Sequence, residues 1–151
     1  MSVDVGSLAP DFTLMNQDRE PVSLRAQRGQ PVILAFFPAA FSSVCAKQLC
    51  TFRDQFGALS QANARVFGIS VDTFFALKAF HADQRLTFPL LCDFNKHVIR
   101  DYGVVNEDMI GLKDIAKRAV FVLDKDGVVI HRQVLDDARH EPDYTEVLSA
   151  L

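Results

Sequence analysis

Tryptophan is absent from the 151-residue chain, and cysteine occurs only three times. So few cysteines, and an odd number of them, do not make a disulfide scaffold. The fold must rest on a hydrophobic core, which a chain of this length can bury without covalent staples. An excess of charge of one sign is also missing: 16 Lys and Arg stand against 19 Asp and Glu, a formal net charge of −3. No strongly basic surface is therefore on offer to nucleic acid or to an anionic membrane. Long apolar runs are lacking too. The longest, VILAFFPAAF (32–41), falls well short of the roughly 18 residues of a spanning helix and contains a proline. The N-terminus, MSVDVGSLAPDF, has none of the basic-then-apolar layout of a secretory signal. These absences make a soluble cytoplasmic protein the expectation, with thiols reduced at rest and any disulfide transient. With no repeat, linker or low-complexity tract, one domain over 1–151 is expected.

What is present is a core-forming composition, 49% hydrophobic with 13 phenylalanines, laid out in alternating patterns. PDFTLMNQDREPVSL (10–24) reads as two short strands around a polar turn at Asn16–Arg19. PVILAFF (31–37) is a continuous β-branched and aromatic run, as in a strand covered on both faces. Behind it Cys45, Leu49, Phe52, Phe56 and Leu59 recur at three- and four-residue spacing, which predicts a helix opening at Ser42 or Ser43. ARVFGISV (64–71) predicts a second buried strand, TFFALKAFHADQR (73–85) a helix, TFPLLCD (87–93) a short extended segment, and 94–101 a short helix. RAVFVLDKDGVVIHRQV (118–134) predicts a hairpin turning at Asp126–Gly127, and EPDYTEVLSAL (141–151) a closing helix with proline near its start. The order runs β-hairpin, β, α, β, α, β, α, β-hairpin, α. That is the order of a three-layer α/β domain, a mixed central sheet flanked by helices with an N-terminal β-hairpin. The loop after 31–37 then opens at the carboxyl end of a central strand, where ligand sites of open α/β sheets lie.

That loop begins FFPAAFSSVCAKQLC (36–50). Cys45 falls in the first turn of the predicted helix, where unpaired N–H groups and the positive end of the dipole favour an anion. A thiol in such a place becomes a nucleophilic thiolate more readily. The position suits a buried core cysteine equally well, since free cysteine is among the most buried residue types. Ser42 or Ser43 can be no more than an N-cap, Pro38 no more than a strand end, and Lys117 with Arg118 no more than gatekeeping charges before an apolar strand.

The run Pro38-Ala39-Ala40-Phe41-Ser42-Ser43-Val44-Cys45 resembles the active-site signature of the peroxiredoxins: proline, three residues, threonine or serine, two residues, cysteine. The similarity continues in order through ARVFGISVD, FPLLCD, YGVVNE and KRAVFVLDKDGVV. It is strongest to two small branches, the bacterioferritin-comigratory or Q-type group and the alkyl-hydroperoxide-reductase-E-like group. The resemblance implies a thioredoxin-like fold and a thiol-dependent peroxidase acting on hydrogen peroxide and organic hydroperoxides, without metal or organic cofactor. It implies that Cys45 is the peroxidatic nucleophile and that Arg118 supports both its thiolate and the charge on the leaving oxygen. The Ser42 hydroxyl and the backbone N–H groups of Val44 and Cys45 would bind the peroxide, and Pro38 would shield the sulfur. Three positions depart from the common pattern: Ser42 where threonine is more frequent, Gln48 where many relatives carry glutamate, and Cys92, for which the family pattern has no role.

Cys50 raises a geometric problem. Five residues along a helix carry it about 140° round from Cys45, with a Cα separation of roughly 8.7 Å. A disulfide spans at most about 7 Å, so the two sulfurs can bond only if the first turns unwind. Q-type relatives with a second cysteine at this spacing use it as the resolving thiol. The resemblance thus implies that Cys50 attacks the Cys45 sulfenic acid after local unfolding, and that a thioredoxin-type dithiol resets the resulting disulfide. Two alternatives stay open: a one-cysteine peroxidase resolved by an external thiol, with Cys50 an apolar core residue, and a peroxide sensor that relays oxidation to a partner. Cys92 reads as a core residue. A thioredoxin-type oxidoreductase would need cysteines two apart, and a metal site built from Cys45, Cys50, Cys92 and His97 lacks the close cysteine spacing of a zinc turn. Monomer and compact homodimer are both compatible with the sequence.

Overall fold

The computed structural model describes residues 3–55 and 63–151, so Phe56 and Leu59 of the predicted helix lie outside the described residues. β1 (Thr13–Asn16) and β2 (Pro21–Ser23) form the N-terminal hairpin, with Thr13 opposite Ser23. Asn16 makes its turn, its side-chain oxygen accepting from the N–H groups of Asp18 and Glu20. β3 (Val32–Phe36) is buried at every position. Its residues alternate between two cores, as a period of two requires. Val32, Leu34 and Phe36 join Phe67, Ile69, Tyr102 and Phe121 on one face, while Ile33 and Ala35 join Val66, Phe80, Leu90 and Val120 on the other.

β4 (Arg65–Ser70) lies parallel to β3, and β5 (Leu90–Cys92) lies parallel to β4. On the other side of β3, two further strands close the sheet antiparallel, Arg118–Leu123 and Val129–Leu135, joined by the turn at Gly127. α1 (Ser43–Asp54) and α2 (Phe74–Asp83) cover one face through Leu49, Phe52, Leu77 and Phe80. The closing helix, Tyr144–Ser149, adds Val147 there. α3 (His97–Asp101) covers the other face through Val98 and Ile99. The three layers and the mixed sheet are those the sequence pattern predicts. Gly68 leaves room for side chains from the two neighbouring strand segments: a Cβ there would lie 2.6 Å from Leu90 Cδ2 and 3.3 Å from Phe37 Cε1. Among the described residues no helix is long and apolar enough to cross a membrane.

One element corrects the sequence-based order. Between α3 and the strand at Arg118 the chain makes an additional hairpin of β6 (Val105–Met109) and β7 (Leu112–Ala116), a separate two-stranded sheet. Its two turn residues, Ile110 and Gly111, have φ of 48° and 92°. Such a turn normally announces itself as Asn-Gly or Asp-Gly, and isoleucine in the first place hides it. Only Ile115 and Ala116 of its strand residues are buried, so no alternation marks the strands either. The two strands at Arg118–Leu123 and Val129–Leu135 are accordingly β8 and β9, and the whole main sheet runs β2-β1-β5-β4-β3-β8-β9. The closing helix, α4, also starts later than its proline suggested: Asp143 caps it by accepting from the Glu146 N–H, and Pro142 lies ahead of the cap.

Candidate active site

α1 starts where the serines predict. Ser42 is its N-cap, in extended conformation, and Oγ accepts from the Cys45 N–H at 3.4 Å. Cys45 therefore sits in the first turn, with its side chain fully buried. Gln48, three residues on and on the same face, is buried beside it. Facing both is Arg118, the first residue of β8, only 1% exposed.

The guanidinium is held at each of its nitrogens. Nη1 donates to Cys45 Sγ at 3.3 Å and to Gln48 Oε1 at 2.7 Å. Nε and Nη2 both donate to the carbonyl of Ala138, at 3.3 and 2.9 Å. Gln48 is itself oriented by the carbonyl of Phe36, to which Nε2 donates. None of these partners is a carboxylate. Neutral acceptors fix the fork without cancelling its charge, so the cation acts on the sulfur in a site of low dielectric. A glutamate in place of Gln48 would make a buried ion pair instead. Gln48, noted in the sequence only as a departure from the family pattern, and the Ala138 carbonyl are the components to which sequence reading gave no role. The i+3 spacing from Cys45 was the available signal for the first, and a backbone carbonyl leaves none.

Beside Arg118 a pocket of about 640 Å³ opens to solvent, and the buried Cys45 is not among the residues that line it. Pro38, Ser42, Ser43, Val44 and Arg118 form its floor, and Asp136–Arg139 one wall. The unpredicted hairpin contributes Asn106, Asp108, Met109 and Ile110 to another. The Val44 N–H belongs to the first helical turn, where the helix supplies no acceptor, and so adds a donor to the floor. The Cys45 N–H already serves the Ser42 cap.

A family model described as the AhpC/TSA family matches residues 5–132. The chain belongs to this family. Its similarity to individual peroxiredoxins runs the same way. It is 37% identical over 151 residues to peroxiredoxin Q, chloroplastic, of Sedum lineare, covering 99% of this chain and 80% of that one. It is 43% identical over 127 residues to the Triticum aestivum protein of the same name, covering 84% of this chain and 57% of that one. Among solved structures it resembles peroxidoxin BcpB from Mycobacterium tuberculosis, with 29% identity, a TM-score of 0.87, and 98% and 96% of the two chains covered. The fold is thus the thioredoxin-like fold of the peroxiredoxins.

The other two cysteines of this peroxiredoxin lie elsewhere. All three are free thiols. Cys50 is on the same unbroken helix as Cys45 but half-buried, and its Sγ donates to Gln84 Oε1 at 3.2 Å, beside the end of α2. Cys92 ends β5, half-buried, and burial pushes its thiol up from the ordinary value. Among the described residues no three His, Cys, Asp or Glu side chains converge as metal ligands.

Proposed function

We propose that this chain is a thiol-dependent peroxidase in which Cys45 reduces peroxides and Cys50 resolves the product. The observation that carries the reading is the contact between Cys45 Sγ and an arginine with no carboxylate on it. The Cys45 thiolate attacks one oxygen of the peroxide; an S–O bond forms as the O–O bond breaks. Charge develops on the leaving oxygen, which departs as water or an alcohol once protonated. Arg118 and the Val44 N–H are donors set in advance for that charge, and a fixed donor of this kind is worth about 10²–10³ in rate. Ser42 and Pro38 border the entry. The apolar faces of Met109 and Ile110 in the wall favour organic hydroperoxides alongside hydrogen peroxide.

Cys50 then attacks the Cys45 sulfenic acid: an S–S bond forms, the S–O bond breaks, and water leaves. For this the first turns of α1 unwind, giving up the Ser42 cap, and Cys50 leaves Gln84. A thioredoxin-type dithiol returns both thiols by exchange and becomes a disulfide itself. The setting that suits this cycle is the cytoplasm, where the thiols rest reduced. The protein would work there as a monomer or a compact homodimer.

The test is intact mass seconds after one equivalent of hydrogen peroxide meets the reduced protein. A loss of about 2 Da mapped to Cys45 and Cys50 is the expected result. A gain of about 16 or 32 Da on Cys45 would keep the peroxidase and remove Cys50 from it. An unchanged mass would overturn the reading.

A further inference from the structure

The loop that delivers Cys45 is under conformational strain. Its turn, Ala39–Ser42, is closed by a backbone hydrogen bond of 3.5 Å, long enough to be weak. Inside it Phe41 has φ of 69°, the left-handed region that bulky side chains avoid. Such a residue stays there only when its surroundings hold it. The Phe41 ring meets the edge of Phe80 at 5.1 Å but is itself 56% exposed, so this contact alone is a light restraint.

The stronger hold comes from the neighbouring strand. Asp72 Oδ2 accepts from the Ala40 N–H at 2.8 Å and from the Ser70 hydroxyl at 2.7 Å. Ser70 Oγ in turn accepts from the Asp72 N–H at 3.2 Å. Ser70 is fully buried at the end of β4 and paired with Cys92 at the end of β5, so the carboxylate is fixed to the central sheet. Among the described residues Asp72 makes the only side-chain hydrogen bond that reaches residues 39–41 from another element. The linkage continues to the sulfur: Ala40 leads through the turn to Ser42, whose Oγ fixes the Cys45 N–H.

We propose that Asp72 is a positioning residue that holds the Cys45 loop in its attacking geometry and thereby restrains the unwinding that resolution requires. The proposal rests on the peroxidase reading of Cys45 and Cys50. Attack needs the loop held and disulfide closure needs it released, so loss of the anchor moves the two steps in opposite directions. A residue that merely supports the fold would slow both.

The experiment compares Asp72→Ala and Asp72→Asn with the parent chain, by amide hydrogen exchange and by quenched-flow intact mass. Asp72→Ala is expected to speed exchange over residues 40–46 with β3 unchanged, and to slow Cys45 oxidation on the order of tenfold, the scale of a small misplacement of a reacting group. At excess hydrogen peroxide its products shift from overoxidised Cys45 toward the disulfide. Asp72→Asn, whose amide oxygen can accept the same two hydrogen bonds, stays near the parent in all three readouts. Ser70→Ala, which leaves the Ala40 contact in place, shows the same changes in smaller size. Unchanged exchange over 40–46 in Asp72→Ala would overturn the proposal, as would a parallel slowing of both steps. If Cys45 of the parent does not react with peroxide, the peroxidase reading fails, while the exchange data still decide whether Asp72 anchors the loop.

Discussion

Cys45 and Cys50 stand on one helix and meet opposite surroundings. Cys45 is fully buried and its sulfur accepts a hydrogen bond from a guanidinium. Cys50 is half-buried and its sulfur donates to the neutral amide oxygen of Gln84. The first sulfur faces a cation and the second a neutral amide. The helix dipole acts on both, yet it falls off within a turn, and only Cys45 lies in the first. In the proposed cycle, what separates nucleophile from resolver is the partner brought in by the sheet. Arg118 arrives from 73 residues along the chain.

The most severe way to break this contrast is Cys45→Ser, which is expected to abolish peroxidase activity while Cys50 and Cys92 remain reduced. Arg118→Ala comes next. Losing a preorganised donor to the developing charge is expected to lower the rate of Cys45 oxidation by about 10²–10³ in single-turnover stopped flow. It also leaves the buried Gln48 Oε1 without its donor, which costs about 1–3 kcal/mol, and frees the part-buried Ala138 carbonyl. The melting temperature should therefore fall as well. Arg118→Lys keeps the charge but not the fork, and should recover part of the rate and little of the stability.

Changes on the Cys50 side should spare the first step. Cys50→Ser is expected to oxidise once, within about twofold of the parent rate, because nothing in the donor set is touched. It should then accumulate sulfenic and sulfinic acid on Cys45 and fail to turn over with a thioredoxin-type dithiol. Normal cycling by that variant would make Cys50 structural. A smaller effect is expected for Gln84→Ala. The hydrogen bond that keeps Cys50 on α2 is worth about 0.5–1.5 kcal/mol, so its loss should speed disulfide closure several-fold and leave Cys45 oxidation unchanged.

The two sides of this contrast were not equally legible in the sequence. Pro38, Ser42 and Cys45 lie within one short stretch, on a strand end and a helix start that apolar patterning marks clearly, and the resemblance to the peroxiredoxin signature chose between the chemical and the structural readings that local chemistry left open. Arg118 was singled out by the same resemblance, since a basic residue heading an apolar strand reads equally well as a gatekeeper. What was missed depends on tertiary contact. Gln48 acts by keeping Arg118 aimed, and only the facing of α1 and β8 reveals that. Asp72 could be quoted within ARVFGISVD but not assigned, since its partner Ala40 lies 32 residues earlier. The β6–β7 hairpin was missed for the opposite reason. It is exposed on most positions, so burial leaves no periodic trace in its residues, although it supplies a wall of the pocket.

Cys92 sharpens the comparison from outside the helix, because among the described residues neither a guanidinium nor a side-chain amide is hydrogen-bonded to this third thiol. Its burial raises the thiol above the ordinary value. At pH 8 a smaller fraction of it is thiolate than of a free cysteine, so one equivalent of hydrogen peroxide should leave Cys92 unmodified in the peptide map. Its alkylation rate should go on climbing at pH values where an unhindered thiol has levelled off. The same shift has a sign for stability. Between the unfolded and the folded value the folded state binds the proton and the unfolded state does not, so the contribution is complete below the ordinary thiol value and is lost as pH rises from there through the raised folded value. Cys92→Ser should therefore flatten the alkaline arm of a denaturation series slightly while changing peroxidase turnover by less than about twofold, because the hydrogen bonds that hold the Cys45 sulfur and its loop do not involve the Cys92 side chain. A larger loss of turnover would place Cys92 in the cycle and end the two-thiol account of it.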